Sequence, residues 1–342
     1  MRYTLLGDSG MRVSEFALGT MTFGTEWSFG ADKEESRKQF ELFAEAGGNF
    51  VDTANKYTNG TSERILGELL GEDRERFVVA TKYSLSTRDG DPNSAGNSRK
   101  NLIQALDASL RRLDTEYVDL LWVHAWDFMT SPEEVMRALD DQVRAGKVSY
   151  VGISDTPAWL VARMQTIAEL RGWTPFVGLQ IPYSLAQREV ERELVPMARG
   201  LGMTVAAWAP LAGGLLSGKY TRSQPSESED RRLGEQPENQ LRIARAVDAV
   251  ADELGVPSAH VALAWLREQQ GVVPILGART TGQLKSNLDS LNVTLTSDQR
   301  RRLDEASAVT LGFPHDFLAE VAPVVLGDLR HLIDVPAGRR RV

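Results

Sequence analysis

The sequence predicts an α/β protein of the (β/α)8 type, a TIM barrel closed by eight parallel strands. Short apolar runs alternate with amphipathic stretches along the chain, and this alternation is typical of a parallel sheet. The apolar runs number eight, which is the number of strand-helix units that closes such a barrel. The predicted strands cover residues 16–18, 49–51, 77–81, 118–123, 148–153, 177–179, 204–207 and 272–276.

The helical stretches between these strands have one apolar face, and several of them are followed by glycine. A glycine in the left-handed conformation ends a helix at low energetic cost. Gly47, Gly146, Gly172 and Gly200 occupy such positions. The predicted helices include residues 33–46, 99–113, 132–145, 189–199 and 258–268.

An open, doubly wound sheet is the alternative arrangement. Its dinucleotide-binding form needs a G-x-G-x-x-G turn after the first strand, and the chain lacks that turn. We therefore predict one barrel domain over residues 1–342, opening with a β-hairpin around a turn at residues 7–10. Residues 221–239 and the tail from Thr310 are additional to the regular strand-helix units. We expect them to form long loops that act as lids at the carboxyl-terminal face.

Composition and charge exclude several classes of function. The net charge is −8, whereas nucleic-acid binding needs a clustered basic face, and only residues 339–341 look basic. The chain has no cysteine, and its four histidines lack metal-binding spacing, so neither disulfides nor a metal site are expected. No apolar run reaches the roughly 18 residues of a membrane span, and the start lacks the apolar region of a signal peptide. We expect a cytoplasmic protein without nucleic-acid or membrane partners.

Polar residues stand at the carboxyl ends of the predicted strands, where a barrel of this type carries its chemistry. Asp52 ends the second strand, with Tyr57 five positions further on, and Lys82 and His124 end the third and fourth. Each alone is compatible with an ordinary core or loop position. Four ionisable groups that converge on one mouth would perturb one another's pKa values, and this favours catalysis. The next three strands end in Ser154-Asp155, Gln180 and Trp208.

These four ionisable side chains suit proton transfer to a carbonyl oxygen. A phenol such as that of Tyr57 is too weak an acid near neutral pH unless an ammonium, here Lys82, stabilises its phenolate. That ammonium stays charged in a partly desolvated pocket only beside a carboxylate, here Asp52. A neutral imidazole at His124 can donate a hydrogen bond to the substrate oxygen.

Several runs of the chain resemble the aldo-keto reductase family in the order in which they occur. The resemblance extends from Tyr3 to about Leu291. It implies a barrel that uses NADPH to reduce an aldehyde or ketone to an alcohol. Tyr57 would be the general acid, and Asp52, Lys82 and His124 would support it. The runs are 48–57 with Ser62-Glu63, 79–82, 146–154 and 210–220.

Within the family, the chain is most similar to the aryl-alcohol dehydrogenase branch, in residues 92–99, 123–129 and 154–159. Aromatic residues also gather at the predicted mouth, an arrangement that suits a flat substrate ring. Phe313 and Phe317 in the tail could fold back over the opening, although Phe29 and Phe317 are expected to cap the core. The predicted substrate-binding residues are Phe23, Trp27, Trp126 and Phe128.

The run from Gly213 to Tyr220 nearly matches a P-loop. Tyr220 stands where that motif needs the serine or threonine whose hydroxyl binds Mg²⁺, so the run does not predict a nucleotide-hydrolysing enzyme. Its glycine amides and Lys219 can still hold a pyrophosphate. Asp155 stands where the family usually has asparagine, and it could be displaced or could tune the site electrostatically. The resemblance assigns the nicotinamide end and pyrophosphate to Asp52, Ser154, Asp155, Gln180, Trp208, Ala209 (through its backbone amide), Pro210, Leu211, Gly213 and Lys219.

The segment after the eighth strand suits the other end of NADPH. Gly277 and the following helix N-terminus suit a phosphate, and Arg279 suits the 2′-phosphate through bidentate contacts. Gln283 and Asn287 resemble the family's adenine-contacting positions, although Ser286 replaces a common glutamate. Near the start, the residues expected beside the nicotinamide ribose are Gly19, Thr20 and Met21.

Two other functions remain open at this point. A Schiff-base aldolase also places a lysine at a barrel strand end, but it needs that lysine unpaired, which Asp52 opposes. A cofactor-binding regulatory subunit, as in channel-associated relatives, can retain all four catalytic residues. The sequence leaves the physiological substrate, the direction of the reaction and the oligomeric state open.

Overall fold

Eight parallel strands close into a barrel in the structure, a computed structural model that describes residues 1–222, 234 and 236–334. The predicted (β/α)8 fold with an N-terminal hairpin is confirmed. The strands are β1 (Tyr3–Leu5), β2 (Arg12–Ser14), β3 (Ala17–Gly19), β4 (Phe50–Asp52), β5 (Val78–Tyr83), β6 (Val118–Val123), β7 (Val148–Ser154), β8 (Phe176–Pro182), β9 (Thr204–Trp208) and β10 (Val272–Leu276). The barrel runs from β3 to β10 in chain order, and β10 pairs with β3 to close it.

Helices surround this barrel in the described residues. The α-helices are α1 (Lys33–Glu45), α2 (Thr61–Leu70), α3 (Arg99–Leu113), α4 (Pro132–Arg144), α5 (Ala158–Arg171), α6 (Leu194–Gly200), α7 (Glu238–Leu254), α8 (Ser258–Arg267), α9 (Thr281–Asp289), α10 (Ser297–Ala306) and α11 (His315–Leu326). Short 3-10 helices cover Tyr57–Gly60, Gly71–Arg76, Glu189–Glu191, Ala212–Ser217, Ser290–Asn292 and Asp328–Leu332.

The predicted helix over residues 189–199 is wrong in its extent. The structure has a 3-10 turn, Glu189–Glu191, and then α6, which begins at Leu194. Pro196 explains the break, because proline lacks an N–H and its ring clashes with the carbonyl group one turn earlier, so it fits best in the first turn of a helix. Gly200 therefore lies inside α6, and the left-handed residue that follows the helix is Gly202, with φ of 63°.

The hairpin β1–β2 covers the amino-terminal end of the barrel. Leu6 and Val13 are fully buried and pack with the residues that fill the barrel interior. Gly7 has φ of 56°, and a Cβ there would lie 2.2 Å from the carbonyl oxygen of Val177. Only glycine allows the hairpin to approach the barrel this closely.

Alternate residues of each barrel strand point inward, since side chains alternate between the two faces of a strand. Trp122 is fully buried there. A Cβ on Gly152 would lie 2.3 Å from its indole, and one on Gly178 2.8 Å from it, so the two glycines make room for the ring. By the same alternation, Asp52 and Lys82 share the inward face with Phe50 and Ala80 and point into the mouth.

One of the two predicted long loops lies mostly outside the described residues, and the other is largely helical. In the loop over 221–239, residues 223–233 and 235 lie outside the described residues, and α7 begins at Glu238. The tail from Thr310 is largely helical, with α11 followed by the 3-10 turn Asp328–Leu332. Phe317 is half exposed and pairs with Phe313 at 6.2 Å between ring centroids, so it does not cap the core. The basic residues 339–341 lie outside the described residues.

Among the described residues, no helix is long and apolar enough to cross a membrane. The same part of the chain contains no cluster of His, Cys, Asp and Glu side chains that could hold a metal ion.

Candidate active site

A buried lysine is the centre of the polar cluster at the barrel mouth. Lys82 Nζ donates to Asp52 Oδ2 at 2.5 Å, to the carbonyl oxygen of Thr53 at 2.9 Å and to Tyr57 Oη at 2.9 Å. An ammonium has three N–H donors, so these three acceptors use all of them. Tyr57 Oη therefore accepts from Lys82, and its own proton remains available to a substrate.

The charges of this cluster fix its protonation. Burial acts to lower the pKa of Lys82, but the charge of Asp52, together with Tyr57 and the hydrogen bonds to both side chains, more than offsets burial and raises that pKa above its usual value. Burial raises the pKa of Tyr57, against the opposing effect of the Lys82 ammonium and with a further increase from Asp52. Lysine is thus charged and the phenol protonated at rest, which are the states that a proton donor and its supporting cation require.

His124 lies beside the phenol as a neutral imidazole. Its ring stands edge-on to that of Tyr57, with 6.0 Å between centroids and an interplanar angle of 85°. Burial and the nearby Lys82 charge lower the pKa of His124 to about 3. Its Nδ1 is buried and has no hydrogen-bond partner in the described part of the chain. Since a buried lone pair costs less than a buried unpaired N–H, the tautomer that carries its proton on Nε2 is favoured, and Nε2 is then the donor.

Two of the residues predicted to bind the nicotinamide, Ser154 and Gln180, lie on neighbouring strands near Asp52. Gln180 Nε2 donates to Asp52 Oδ1 at 2.9 Å, which leaves the amide oxygen of Gln180 as an acceptor. Ser154 lies across from Gln180 in the β7–β8 register, and its buried hydroxyl has no partner among the described residues. A hydroxyl and an amide oxygen at these two positions fit the carboxamide of a nicotinamide ring.

Trp208 borders the mouth, with 37% of its surface exposed. Its indole Nε1 donates to Asp155 Oδ1 at 3.2 Å. The Asp155 carboxylate is therefore not displaced from the mouth, and its hydrogen bond holds the indole ring. Burial raises the pKa of Asp155, partly offset by the Trp208 hydrogen bond.

The segment after β9 has left-handed backbone at four positions. Ala209, Ala212, Gly213 and Gly214 all have φ between 47° and 98°. Successive left-handed residues also occur in phosphate-binding loops, and here the N–H groups of Ala212 and Gly214 donate to the carbonyl oxygens of Ala209 and Leu211. Pro210, Leu211 and Lys219 belong to the same loop. At Gly277, after β10, a Cβ would meet nothing within 4 Å, so a ligand can approach its backbone.

The residues predicted to bind the adenosine end lie at and just before α9. The Arg279 N–H donates to Gln283 Oε1 at 2.8 Å, and Asn287 is buried on the next turn. Sequence reasoning missed Glu35 of α1: its Oε1 accepts from the backbone N–H of Thr281 and, at 2.8 Å, from its hydroxyl. A carboxylate therefore stands at the helix N-terminus beside Arg279. The contact joins residues 246 positions apart and had no sequence signal.

Two site predictions are corrected by burial. Phe23 is fully buried in the hydrophobic core, so it cannot face a substrate. Thr20 is also fully buried, and its hydroxyl donates to the carbonyl oxygen of Asp52 at 3.1 Å, so it supports the strand rather than a ribose. Gly19 and Met21 remain partly accessible beside it.

The other predicted substrate residues differ in exposure. Trp27 is half-buried and stands edge-on to Tyr57 at 6.4 Å between centroids. Phe29 packs against Trp27 at 5.9 Å and is not part of the core. Trp126 is only 9% exposed, whereas Phe128 is 70% exposed. The structure thus brings Trp27 to the phenol and leaves Trp126 largely in the core.

A second buried ion pair supports the segment that carries Tyr57. Glu63, fully buried on α2, accepts from the Thr81 hydroxyl at 2.5 Å and from Arg112 Nε at 2.6 Å. Glu63 is part of the motif that carries the resemblance, yet the sequence did not show what its carboxylate binds. It ties α2 to β5 and α3 behind the mouth.

The fold and the site together define a (β/α)8 barrel whose mouth brings together the side chains of Asp52, Tyr57, Lys82 and His124. A model of the Aldo/keto reductase family matches residues 15–308. The chain belongs to that family and is an oxidoreductase.

Named relatives cover nearly the whole chain. It is 38% identical to norsolorinic acid reductase of Aspergillus flavus, over 92% of this chain and 83% of the relative. It is 37% identical to an aryl-alcohol dehydrogenase of Pestalotiopsis microspora, over 93% of this chain and 85% of the relative. It is 36% identical to aryl-alcohol dehydrogenase [NADP(+)] of Phanerodontia chrysosporium, over 90% and 86%. The predicted family resemblance is confirmed.

Proposed function

We propose that this protein reduces aromatic aldehydes or ketones to alcohols with NADPH, and that Tyr57 is the general acid. The observation that carries the proposal is the hydrogen-bond arrangement of Lys82, whose three donors are all used and one of which goes to Tyr57 Oη. A phenol oxygen that accepts a hydrogen bond from a buried ammonium still carries its own proton and can donate it to a substrate. The phenolate formed by that donation is then stabilised by the ammonium.

The bound cofactor would supply a hydride to the carbonyl carbon. Tyr57 gives its proton to the carbonyl oxygen, so that the oxygen becomes a hydroxyl. The Lys82 ammonium, 2.9 Å away, stabilises the phenolate that is left, and the Asp52 carboxylate keeps Lys82 charged. His124, neutral by its low pKa, orients the substrate oxygen through a hydrogen bond and stabilises its developing charge.

The residues around the mouth fit NADPH. The unpaired hydroxyl of Ser154 and the free amide oxygen of Gln180 suit the carboxamide, the exposed face of Trp208 suits the ring, and the loop from Ala209 to Lys219 suits the pyrophosphate. Arg279 is assigned to the 2′-phosphate. A relative whose name specifies NADP supports the choice of NADPH. Gly277, Gln283 and Asn287 complete this proposed binding surface.

An aromatic substrate is supported by the ring of Trp27 beside the phenol and by relatives named for aryl alcohols and norsolorinic acid. The Schiff-base alternative is disfavoured, because Lys82 is protonated and fully hydrogen-bonded, whereas imine formation needs a neutral amine.

The test is the loss of NADPH absorbance in the presence of an aromatic aldehyde, measured for the wild-type protein and for Tyr57→Phe. We expect steady turnover that falls by roughly 10²–10⁴-fold in the variant, with NADPH affinity retained. Tyr83→Phe is the matched control, since Tyr83 is a buried tyrosine on β5 that faces the helices rather than the mouth. A wild-type protein that binds NADPH without turnover would indicate a regulatory subunit instead.

A further inference from the structure

The turn directly after Tyr57 has an unusual backbone. Thr58, Asn59 and Gly60 have φ of 44°, 55° and 89°, so three successive residues are left-handed. Glycine adopts this conformation freely, but a β-branched residue such as threonine does so only at a cost of about 1–3 kcal/mol. Contacts of Thr58 must therefore hold the turn in this shape.

The Thr58 side chain supplies those contacts. It is fully buried, and its Oγ1 donates to the carbonyl oxygen of Phe23 at 2.6 Å and accepts from the backbone N–H of Ser62 at 3.0 Å. The residue at the N-terminus of α2, Gly60, has no side chain to cap it. One hydroxyl therefore joins the loop after β3, the turn that carries Tyr57 and the first turn of α2.

Through Ser62, the Thr58 hydroxyl is connected to a network of buried hydrogen bonds beneath the catalytic residues. Ser62 Oγ lies 2.8 Å from both the carbonyl oxygen and the hydroxyl of Thr20, and 3.0 Å from Thr53 Oγ1. The Thr20 hydroxyl donates to the carbonyl oxygen of Asp52 at 3.1 Å. The backbones that carry Asp52 and Tyr57 are thus linked by side-chain hydroxyls that have no exposed surface.

The same contact also fixes one end of the loop that carries Trp27. Phe23, whose carbonyl oxygen accepts from Thr58, begins that loop and bridges to Ala31 at its other end. Trp27 lies between them and contacts the Tyr57 ring. A shift of Thr58 would therefore move the phenol and the aromatic wall together.

We propose that Thr58 is a positioning residue whose buried hydroxyl holds the Tyr57 phenol within reach of Lys82 and against Trp27. The inference rests on the proposed function, in which Tyr57 is the proton donor. It assigns Thr58 no contact with substrate or cofactor.

The main variant is Thr58→Val, which keeps the shape and β-branching of the side chain and removes only the hydroxyl. Misplacement of a reacting group by about 1 Å can cost up to about 100-fold in rate, so we expect kcat to fall roughly ten- to a hundred-fold. The dissociation constant for NADPH, measured by quenching of protein fluorescence, should stay unchanged. A fall in kcat without a change in cofactor affinity is not expected from general unfolding.

Two further variants at the same position separate the hydroxyl from the backbone. Thr58→Ser keeps the hydroxyl and should restore most of kcat. Thr58→Gly relieves the left-handed strain, yet it lacks the hydroxyl and should show a low kcat like Thr58→Val. The glycine variant keeps the test decisive if the valine variant fails to fold.

Thr204→Val is the matched control. Thr204 is also buried, and its hydroxyl also joins two backbone groups, accepting from Gly7 N at 2.7 Å and donating to the Leu5 carbonyl oxygen at 3.4 Å. It lies at the opposite end of the barrel, at the start of β9, so its loss should lower Tm and leave kcat intact.

Near wild-type kcat in both Thr58→Val and Thr58→Gly would overturn the inference, and so would an equal fall in kcat for Thr204→Val. If Tyr57→Phe retains normal turnover, the proposed function is wrong, and the positioning role that rests on it is wrong as well. If Tyr57→Phe is inactive while the Thr58 variants are normal, only the positioning role fails.

Discussion

The indole of Trp208 and the carboxylate of Asp155 form a hydrogen bond of 3.2 Å at the rim of the mouth. The same carboxylate acts on Tyr57, whose pKa is raised mainly by burial and in part by the charge of Asp155. Asp155 therefore fixes the orientation of an aromatic face and also makes the phenolate less favourable.

We expect Asp155→Asn to lower the pKa of Tyr57. The amide oxygen introduced there still accepts from Trp208, but the negative charge that disfavours the phenolate is gone. In alcohol oxidation Tyr57 must be deprotonated to accept a proton, so activity rises with pH through its pKa. The midpoint of the kcat–pH profile for alcohol oxidation should move to lower pH. Asp107→Asn, at a surface pair with Lys147, should leave the midpoint in place, and an upward shift for Asp155→Asn would contradict this account.

Lys82→Met should destabilise the fold as well as abolish turnover. It leaves the Asp52 carboxylate buried without its counter-charge, and breaking a buried pair in this way costs about 3–5 kcal/mol. Adding Asp52→Asn should recover part of the free energy of unfolding in urea but none of the turnover. The surface variant Lys147→Met should cost at most about 1 kcal/mol. Equal losses in the free energy of unfolding for Lys82→Met and Lys147→Met would show that the Lys82–Asp52 pair does not stabilise the fold.

Arg279→Ala should weaken NADPH binding about ten-fold or more and leave NADH binding nearly unchanged. Charged hydrogen bonds to a phosphate contribute about 1.5–3 kcal/mol, and NADH lacks the 2′-phosphate. Titration of both cofactors by fluorescence measures the ratio. Arg301→Ala, on the outer surface of α10, is the control. Similar losses of affinity for NADPH and NADH would show that Arg279 does not recognise the 2′-phosphate.

Trp27→Ala should reduce the preference for aromatic over short aliphatic aldehydes in kcat/KM. An aromatic pair contributes about 0.5–1.5 kcal/mol beyond area burial, which corresponds to a few-fold up to roughly ten-fold in the ratio. Trp126→Ala should act differently: with 9% of its surface exposed, its loss should mainly lower stability, by about 3–5 kcal/mol. If Trp126→Ala alone changes the substrate ratio, the assignment of Trp27 is wrong.

The sequence predicts the barrel and the polar cluster at its mouth because both follow from local patterns. Asp52, Lys82 and His124 stand where apolar runs end, and parallel strands bring those ends to one mouth. The observed strands include Asp52, Lys82 and Ser154 rather than ending before them. Parallel pairing continues to the rim, as in the pairing of Ser154 with Gln180.

Loop paths and long-range polar contacts could not be predicted from the sequence. Phe23 looked like a mouth residue because it follows the first barrel strand, yet the loop turns inward and buries it. The pairing of Glu35 with Thr281 depends on how α1 packs beside α9, and no periodicity encodes it. The left-handed turn at Thr58 could not be predicted from the sequence either, because threonine rarely adopts a positive φ.

Trp122 fills the barrel interior beside Gly152 and Gly178, and its strand position pairs with that of Lys82. The β1–β2 hairpin packs on this filled interior from the amino-terminal end of the barrel. The molecule thus has a closed back at the hairpin and a front at the carboxyl ends of the strands. A support or fusion partner joined next to the hairpin would face the closed back, so the enzyme could be anchored there with its open front still turned to the solution.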